Sequence, residues 1–366
     1  MRRHLRTLLI VLTTVVLLAL FLRQANLVEV GHEIRAARLT DLVLALIATL
    51  AIYVFRTVRW QVMLEPIGPT HFVTAFRSTV IGFAANALLP ARAGEFLRPY
   101  LLARREGLRA TAAFATIILE RLLDLLTVLL FFGAYVMLFD PGMSAIDATT
   151  YRAVKIGGAG AAAMSLAMLL VLFVLAGHPE RLGATVQRVE RVLPAGLAHF
   201  IARLARSFAE GLAVMRQGRP LVRALVLSLP VWLSIAAGIW LVSRAFHITM
   251  PFSGSFLLIA LLTVGVAVPT PGAVGGFHYA FRVGATVFFG AANERAVGAA
   301  IVLHAISFLP TTLLGLVFMV QDGLSLTRVR SLATSGDPNA SLGDPSGSGA
   351  DVASGAGQAR SERPAT

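Results

Sequence analysis

The chain has 366 residues, of which 57% are hydrophobic and only 14% are charged. Soluble domains carry about 25% charged residues, so an ordinary soluble enzyme is excluded, and the lack of cysteine excludes disulfides and thiol catalysis. The formal net charge of +13 is interpreted as a signal of membrane topology, so no nucleic-acid partner is expected.

Long apolar runs predict an all-α polytopic membrane protein, because about 20 consecutive apolar residues cross a bilayer. The N-terminal run lacks a small-residue cleavage site, so it is predicted to be a retained span rather than a signal peptide. Two further apolar regions, 71–118 and 251–292, are interrupted and are predicted to be re-entrant or broken-helix hairpins. About six full spans are predicted: Leu5–Leu22, Asp41–Tyr53, Leu122–Phe139, Ile156–Ala176, Leu221–Val242 and Val297–Val320.

The distribution of arginine predicts the orientation, since cytoplasmic loops are rich in basic residues. Residues 91–110 contain five Arg against two Glu, and residues 178–223 contain eight Arg against three Glu. Both stretches are therefore expected in the cytoplasm. The protein is expected in the bacterial inner membrane, with both of its termini also in the cytoplasm. The hairpin at 71–118 would then enter from the inside and the hairpin at 251–292 from the outside.

The domain organisation is expected to be simple. Residues 1–325 are predicted to form one transmembrane domain, within which 180–217 form a cytoplasmic amphipathic helix or, alternatively, a packed helical connector. The Gly-, Ser- and Pro-rich stretch 326–366 is predicted to be a disordered cytoplasmic tail. No catalytic, nucleotide-binding or metal-binding motif is found, so neither enzyme activity nor a cofactor is expected.

Helix-breaking residues interrupt both apolar regions. Pro90 and Gly94 break the first, and the second is broken by Pro269, Pro271, Gly272, Gly275 and Gly276. Irregular backbone at membrane depth is tolerated where it is buried in protein or lines a cavity. Two such breaks entered from opposite faces indicate an inverted-repeat transporter whose substrate site lies where the breaks meet. The two halves have no clear sequence identity, and ordinary loops between short helices are the alternative.

Ionisable residues also occur inside apolar stretches, where they need partners. Glu120 and Asp124 share a helix face beside Arg121, and are expected to pair with arginines of the segment 92–98 rather than to bind a proton or a cation. Arg92 and Arg98 either bind an anionic head group, with Glu95 neutralising the empty site, or extend to the interface. Arg56 and Arg59 are predicted to be interfacial anchors. His247, His278 and His304 are expected to be packed rather than to bind metal.

Four motifs resemble those of a known family. They are RTVRW near the second span, NALLPARAGEFLRPYLL at the first break, ILERLLD in the next helix and VPTPGAVGGF at the second break. In this order, over roughly residues 5–320, they resemble the lysylphosphatidylglycerol synthase transmembrane-region family of flippase-like proteins. Its bifunctional members combine a membrane part that moves an aminoacylated phospholipid with a cytosolic domain that makes it. This chain shows only the membrane part, so that lipid is not implied as substrate.

The resemblance implies a lipid flippase, and Arg92 and Arg98 indicate that it moves an anionic phospholipid or a lipid-linked glycan precursor between leaflets. Two alternatives remain: a non-catalytic partner of a glycosyltransferase or lipid-biosynthetic enzyme, and a membrane-embedded transferase. The expected head-group site consists of Asn86, Arg92, Glu95, Arg98, Glu120, Arg121, Asp124, Pro269, Pro271, Gly272, Gly275 and Gly276.

Overall fold

The computed structural model describes residues 25–89, 92–138, 218–267 and 270–324, with single positions and short runs between 12–22 and 152–167. Every regular element within these residues is helical, as the sequence predicts. The predicted helix at 180–217, the predicted tail at 326–366, Pro90 and Pro269 lie outside the described residues. Most positions of the predicted first and fourth spans lie outside them too.

The helices have a recurring order of lengths. Among the helices of the ranges 25–138 and 218–324, a short helix is followed by the order long, short, short, long, which occurs twice. The lengths are 26, 17, 13 and 29 residues and then 28, 14, 14 and 29 residues. The helices are α1 (Leu27–Ala36), α2 (Leu39–Leu64), α3 (Phe72–Leu88), α4 (Gly94–Glu106), α5 (Ala110–Leu138), α6 (Gly218–Ala245), α7 (Gly254–Ala267), α8 (Gly276–Phe289) and α9 (Asn293–Gln321).

The long helices α2 and α6 run antiparallel and form the most extensive helix contact of the described fold. Near the end of α2, Glu65 Oε2 accepts a hydrogen bond of 3.0 Å from Arg223 Nη1 near the start of α6. At the opposite end, Arg244 of α6 pairs with Asp41 of α2. These two ion pairs define a first end and a second end of the helix bundle.

Two antiparallel hairpins open at opposite ends of the bundle. In hairpin A (α3 and α4), the backbone N–H of His71 donates to Glu106 Oε1 at 3.2 Å, so the start of α3 and the end of α4 lie together. Arg77 and Arg105 of this hairpin pair with Asp322 after α9, and Gln61 contacts Thr70, which places the opening at the first end.

Hairpin B (α7 and α8) has the opposite orientation. A Cβ added to Gly254 at the start of α7 would lie 2.8 Å from the Phe289 ring at the end of α8. The Trp240 indole near the end of α6 donates to the carbonyl of Met250 at 3.3 Å, so hairpin B opens at the second end. The connecting segments of the two hairpins therefore point towards each other. We call them tip A, between Leu88 and Gly94, and tip B, between Ala267 and Gly276.

Three helices within the described residues are long and apolar enough to cross a membrane: Leu39–Leu64, Arg219–Ala245 and Asn293–Gln321. Phe72–Leu88 and Gly254–Ala267 are shorter apolar helices. The exposed side chains of α2 include Val43, Ile47, Leu50 and Val54, which recur at helical spacing on one face. A face of this kind is stable against lipid rather than water, which fits an integral membrane protein.

Two helices extend well beyond the spans predicted within them. The second span was predicted to end at Tyr53, but α2 continues to Leu64. The third was predicted to begin at Leu122, but α5 begins at Ala110. Each prediction stopped at charged residues, whereas the charges of the two helices face one another inside the bundle and pair there.

Candidate functional site

A buried cluster of ion pairs lies between α2, α4 and α5. At its centre is Glu120 of α5, which is completely buried. Its carboxylate lies 3.3 Å from Arg56 Nη1 and 3.3 Å from Arg59 Nη2, both from α2. Arg98 Nη1 of α4 approaches it to 2.9 Å and Arg121 Nη2 of α5 to 3.1 Å. One carboxylate thus joins four guanidinium groups from three helices, and we call these residues and Asp124 the arginine cluster.

Asp124 is the second carboxylate of the cluster and lies one helical turn after Glu120. Arg59 Nη1 approaches its Oδ1 to 2.8 Å, and Arg56 Nη1 approaches its Oδ2 to 3.2 Å. The Trp232 indole of α6 donates to Oδ1 at 3.1 Å. The predicted shared face of Glu120 and Asp124 is therefore confirmed, and so is the predicted pairing of Glu120 with an arginine of the segment 92–98. Asp124 pairs instead with Arg56 and Arg59 of α2.

Aromatic and hydroxyl groups fix the guanidinium planes. Arg98 lies over the Trp60 ring, with its Cζ 3.9 Å from the ring centroid, a geometry that attracts a cation to an aromatic face. The Trp60 indole donates to Thr116 Oγ1 at 2.9 Å, which holds the ring in place. Arg59 also donates to Ser228 Oγ at 2.9 Å. The cluster is therefore rigidly supported by α2, α5 and α6.

The arginine cluster is not electrically balanced. Four guanidinium groups face two carboxylates, which leaves a formal excess of two positive charges. Within the described residues, Arg98 Nε and Nη2 have no hydrogen-bond partner although both atoms are buried, and the same is true of the Nε atoms of Arg59 and Arg121. Buried donors and charges without partners are costly, so this site suits an anion with several oxygens.

Arg92 and Glu95 lie at the edge of the cluster rather than inside it. The Arg92 side chain is 56% exposed and its Nη1 lies 3.9 Å from Glu95 Oε1. The Glu95 side chain is 24% exposed and that of Arg121 is 36% exposed. These three side chains connect tip A to the buried charges.

The predicted site residue Asn86 lies on α3. Its Oδ1 is buried and accepts no hydrogen bond from any described residue.

Tips A and B meet. Arg92 Nη2 in tip A lies 3.5 Å from the carbonyl oxygen of Val266 at the end of α7. A Cβ added to Gly272 in tip B would lie 3.8 Å from the carbonyl oxygen of Ala87. The two hairpins therefore converge beside Arg92, at the edge of the arginine cluster.

The two tips have related backbone conformations. Arg92 and Ala273 both have left-handed backbone, with φ of 53° and 57°. Each is the third residue of the pattern P-x-x-x-G-x-F, which runs from Pro90 to Phe96 and again from Pro271 to Phe277. Left-handed backbone is uncommon outside glycine, so its occurrence at matching positions is informative. This pattern is a sequence similarity between the halves that the sequence analysis missed.

In each hairpin, two glycines of the facing helices lie in direct contact beside the tip. A Cβ on Gly94 would lie 1.8 Å from the carbonyl oxygen of Gly82, and a Cβ on Gly276 would lie 2.2 Å from that of Gly265. Gly94 and Gly276 are the first residues of α4 and α8. Gly94 was predicted to break the helix and Gly276 to belong to the site, and the visible role of both is to allow direct backbone contact.

Two histidines support tip B. His304 Nε2 of α9 lies 2.7 Å from the carbonyl oxygen of Gly272, and its ring stacks on Phe308. The His278 ring lies 4.5 Å from that of His304, and its Nδ1 accepts from the backbone N–H of Gly275 at 3.4 Å. These contacts agree with the packed role that is expected for His278 and His304.

The backbone of tip B depends on residues of special conformation. Gly275 has φ of 91°, a region that glycine adopts readily. The predicted site residue Pro271 begins the 3-10 turn of tip B.

We expect the His304→Phe variant to unfold with a free energy about 1 kcal/mol lower than the wild type, because stacking on Phe308 is retained but Gly272 loses its donor. Thermal unfolding of the purified protein in detergent measures the change. The His304→Gln variant restores an N–H donor and should recover part of the loss; equal stability of all three proteins would show that this contact does not hold tip B.

The interpretation of Arg56 and Arg59 as interfacial anchors is wrong. Their side chains are only 8% and 0% exposed, and both are paired with Glu120 and Asp124. A signal was present in the sequence: Arg56 and Arg59 are three residues apart and the two carboxylates are four apart, so both sets form a single helical face. The proximity of Trp60 favoured the wrong interpretation, since Trp and Arg together are also typical of membrane interfaces.

Comparison with known protein families shows a match to the model of one family. The chain matches the family described as "Lysylphosphatidylglycerol synthase TM region" over residues 6–315, which includes all described helices except the last turns of α9. No curated protein matches the chain. The expected resemblance is therefore confirmed at the level of the family.

Proposed function

The chain belongs to the lysylphosphatidylglycerol synthase TM region family of membrane proteins, and on that premise we propose that it moves an anionic lipid between the leaflets of the bacterial inner membrane. The lipid is a phospholipid or a lipid-linked envelope precursor. The observation that carries the proposal is the arginine cluster, with its excess of positive charge and its free donors, next to the point where the two tips meet.

The arrangement of helices supports alternating access. The repeated order of helix lengths and the opposite directions of α2 and α6 are typical of an inverted repeat, and hairpins A and B are then re-entrant segments whose tips meet near the midplane. In transporters of this kind the two halves rock around a central site. The head group would pass between the tips while the acyl chains stay in lipid.

The charges at the two ends of the bundle support the proposed orientation. The first end carries the six arginines Arg77, Arg104, Arg105, Arg109, Arg219 and Arg223 against the three acids Glu65, Glu106 and Asp322, whereas the second end carries acids and arginines in similar numbers. Since cytoplasmic segments are enriched in basic residues, we place the opening of hairpin A in the cytoplasm. Both termini then lie inside, as the sequence indicates.

We propose transport rather than transferase chemistry because the two buried carboxylates are already paired with arginines. A general base must have free lone pairs within reach of a substrate proton. Glu120 and Asp124 are each held by several guanidinium groups, which occupy the lone pairs that a general base would need. Their geometry is that of groups which position the arginines.

The test is a leaflet-translocation assay in proteoliposomes with phosphatidylglycerol carrying a fluorescent acyl chain. We expect Arg98→Gln to slow translocation at least about tenfold, because one charge-assisted contact to a phosphate is worth roughly 1.5–3 kcal/mol. Arg104, an exposed residue of the same helix, provides the matched control, and Arg104→Gln should transport at the wild-type rate. Equal rates for wild type and Arg98→Gln would overturn the assignment of the site.

A further inference from the structure

We propose that the arginine cluster selects a phosphate dianion: a terminal phosphomonoester or a diphosphate, in preference to the monoanionic phosphodiester of an ordinary anionic phospholipid. The inference rests on the proposed function for the claim that this phosphate belongs to a lipid. The inference specifies the charge of the head group, a property that membership of the family does not determine.

The first argument is the number of uncompensated charges. The four arginines and two carboxylates of the cluster leave two positive charges without counter-charge. Arg92 and Glu95 at the edge balance each other and do not change this excess. An uncompensated buried charge is strongly destabilising, so the complex is most stable when the ligand brings about two negative charges. A phosphomonoester carries a charge of about −1.5 to −2 at neutral pH, whereas a phosphodiester carries a single negative charge.

The second argument is the geometry of the free donors. Arg98 uses Nη1 for Glu120 and keeps Nε and Nη2 unpaired. These two N–H groups form the planar edge of a guanidinium that binds two oxygens of one phosphate. Trp60 beneath the guanidinium fixes the direction of this edge. Arg121 contributes a further free Nε on the partly exposed side of the cluster.

The third argument concerns the head groups that the cluster disfavours. A head group with a net positive charge, such as an aminoacylated phosphatidylglycerol, would add to the existing excess instead of neutralising it. The two buried carboxylates, Glu120 and Asp124, are already held by arginines, and the charge of Glu95 at the edge is balanced by Arg92. We therefore expect cationic lipids to bind less tightly than either class of anionic lipid.

The experiment measures competition for the purified full-length protein in detergent at pH 8. The probe is phosphatidic acid with a fluorescent acyl chain, displaced by unlabelled phosphatidic acid or by phosphatidylmethanol with the same chains. The latter differs only by a methyl ester that removes one charge. We expect phosphatidic acid to compete at least about tenfold better. In Arg121→Gln, where the excess falls to one charge, the preference should shrink severalfold, whereas Arg104→Gln should keep it.

The outcomes separate this inference from the proposed function. If both lipids compete equally and Arg98→Gln weakens both, the preference for a dianion is overturned while an anionic-lipid site stands. If lysylphosphatidylglycerol competes better than phosphatidic acid, the inference is overturned in favour of a cationic head group. If inorganic phosphate at the same concentration displaces the probe as well as phosphatidic acid does, the site takes free phosphate and the lipid part fails. A preference for phosphatidic acid that Arg121→Gln leaves unchanged overturns the charge-counting argument.

Discussion

The variant Glu120→Gln is expected to lose about 3–5 kcal/mol of folding free energy, the cost of removing one partner from a buried ion pair. Glutamine keeps the volume of the side chain, so the change isolates the charge. Glu120 contacts all four arginines of the cluster, and without its charge they would face only Asp124. Native proteins are stable by about 5–15 kcal/mol, so we expect little folded protein in the membrane. Accumulation and thermal unfolding in detergent measure the loss.

Two further variants make this prediction specific. In Glu65→Gln the lost partner is Arg223, and both side chains of this pair are about half exposed, so the loss should stay within about 1 kcal/mol. The double variant Glu120→Gln with Arg98→Gln removes one charge of each sign and should be more stable than Glu120→Gln alone. If Glu120→Gln is as stable as Glu65→Gln, the cluster does not hold the helices together.

The variants Gly94→Ala and Gly276→Ala are expected to separate the two helices of hairpins A and B, respectively. The added Cβ atoms would lie 1.8 Å and 2.2 Å from carbonyl oxygens of the facing helices. These obstacles are backbone atoms, so they cannot move aside as a flexible side chain would. Overpacking typically costs about 1–3 kcal/mol and sometimes more, and we expect the upper end of that range together with loss of translocation. Thermal unfolding and the proteoliposome assay measure the two effects.

The matched control is Gly31→Ala, because a Cβ at Gly31 of α1 has no atom within 4 Å. Alanine is favoured over glycine inside a helix by roughly 0.5–1 kcal/mol, so this variant should be slightly more stable than wild type and should transport normally. Wild-type stability and activity of Gly94→Ala would contradict the close packing of hairpin A.

Sequence reasoning predicted the helical fold, both breaks and the pairing of Arg98 with Glu120. These features have local causes: apolar runs exceed the length of soluble helices, Pro and Gly interrupt helices, and a buried charge needs a partner. Arg92 and Ala273 have similar left-handed backbone at matching positions of the two tips, a likeness that only a short pattern in the sequence marks.

The spacing of Arg56 and Arg59 indicates a shared helical face, but the sequence does not show what that face contacts. An arginine near the end of an apolar run has the same local pattern whether it faces head groups or a carboxylate on another helix. Only the packing of α2 on α5 and α6 decides between these positions. The contacts of Gly82 and Gly265 were also beyond local reasoning. A glycine in an apolar helix carries no signal of its partner until the facing helix is known. Arg92, in contrast, was placed in the site but lies at its edge.

The most direct test of the central claim, that a head group passes between the tips, is to link them reversibly. The chain contains no cysteine, so Ala87→Cys with Gly272→Cys gives a single thiol pair at the point where the tips meet. A short, reducible bis-methanethiosulfonate linker would join them in proteoliposomes. We expect translocation of the fluorescent anionic lipid to stop on linking and to recover after reduction. Translocation at the same rate in the linked and reduced states would contradict passage between the tips.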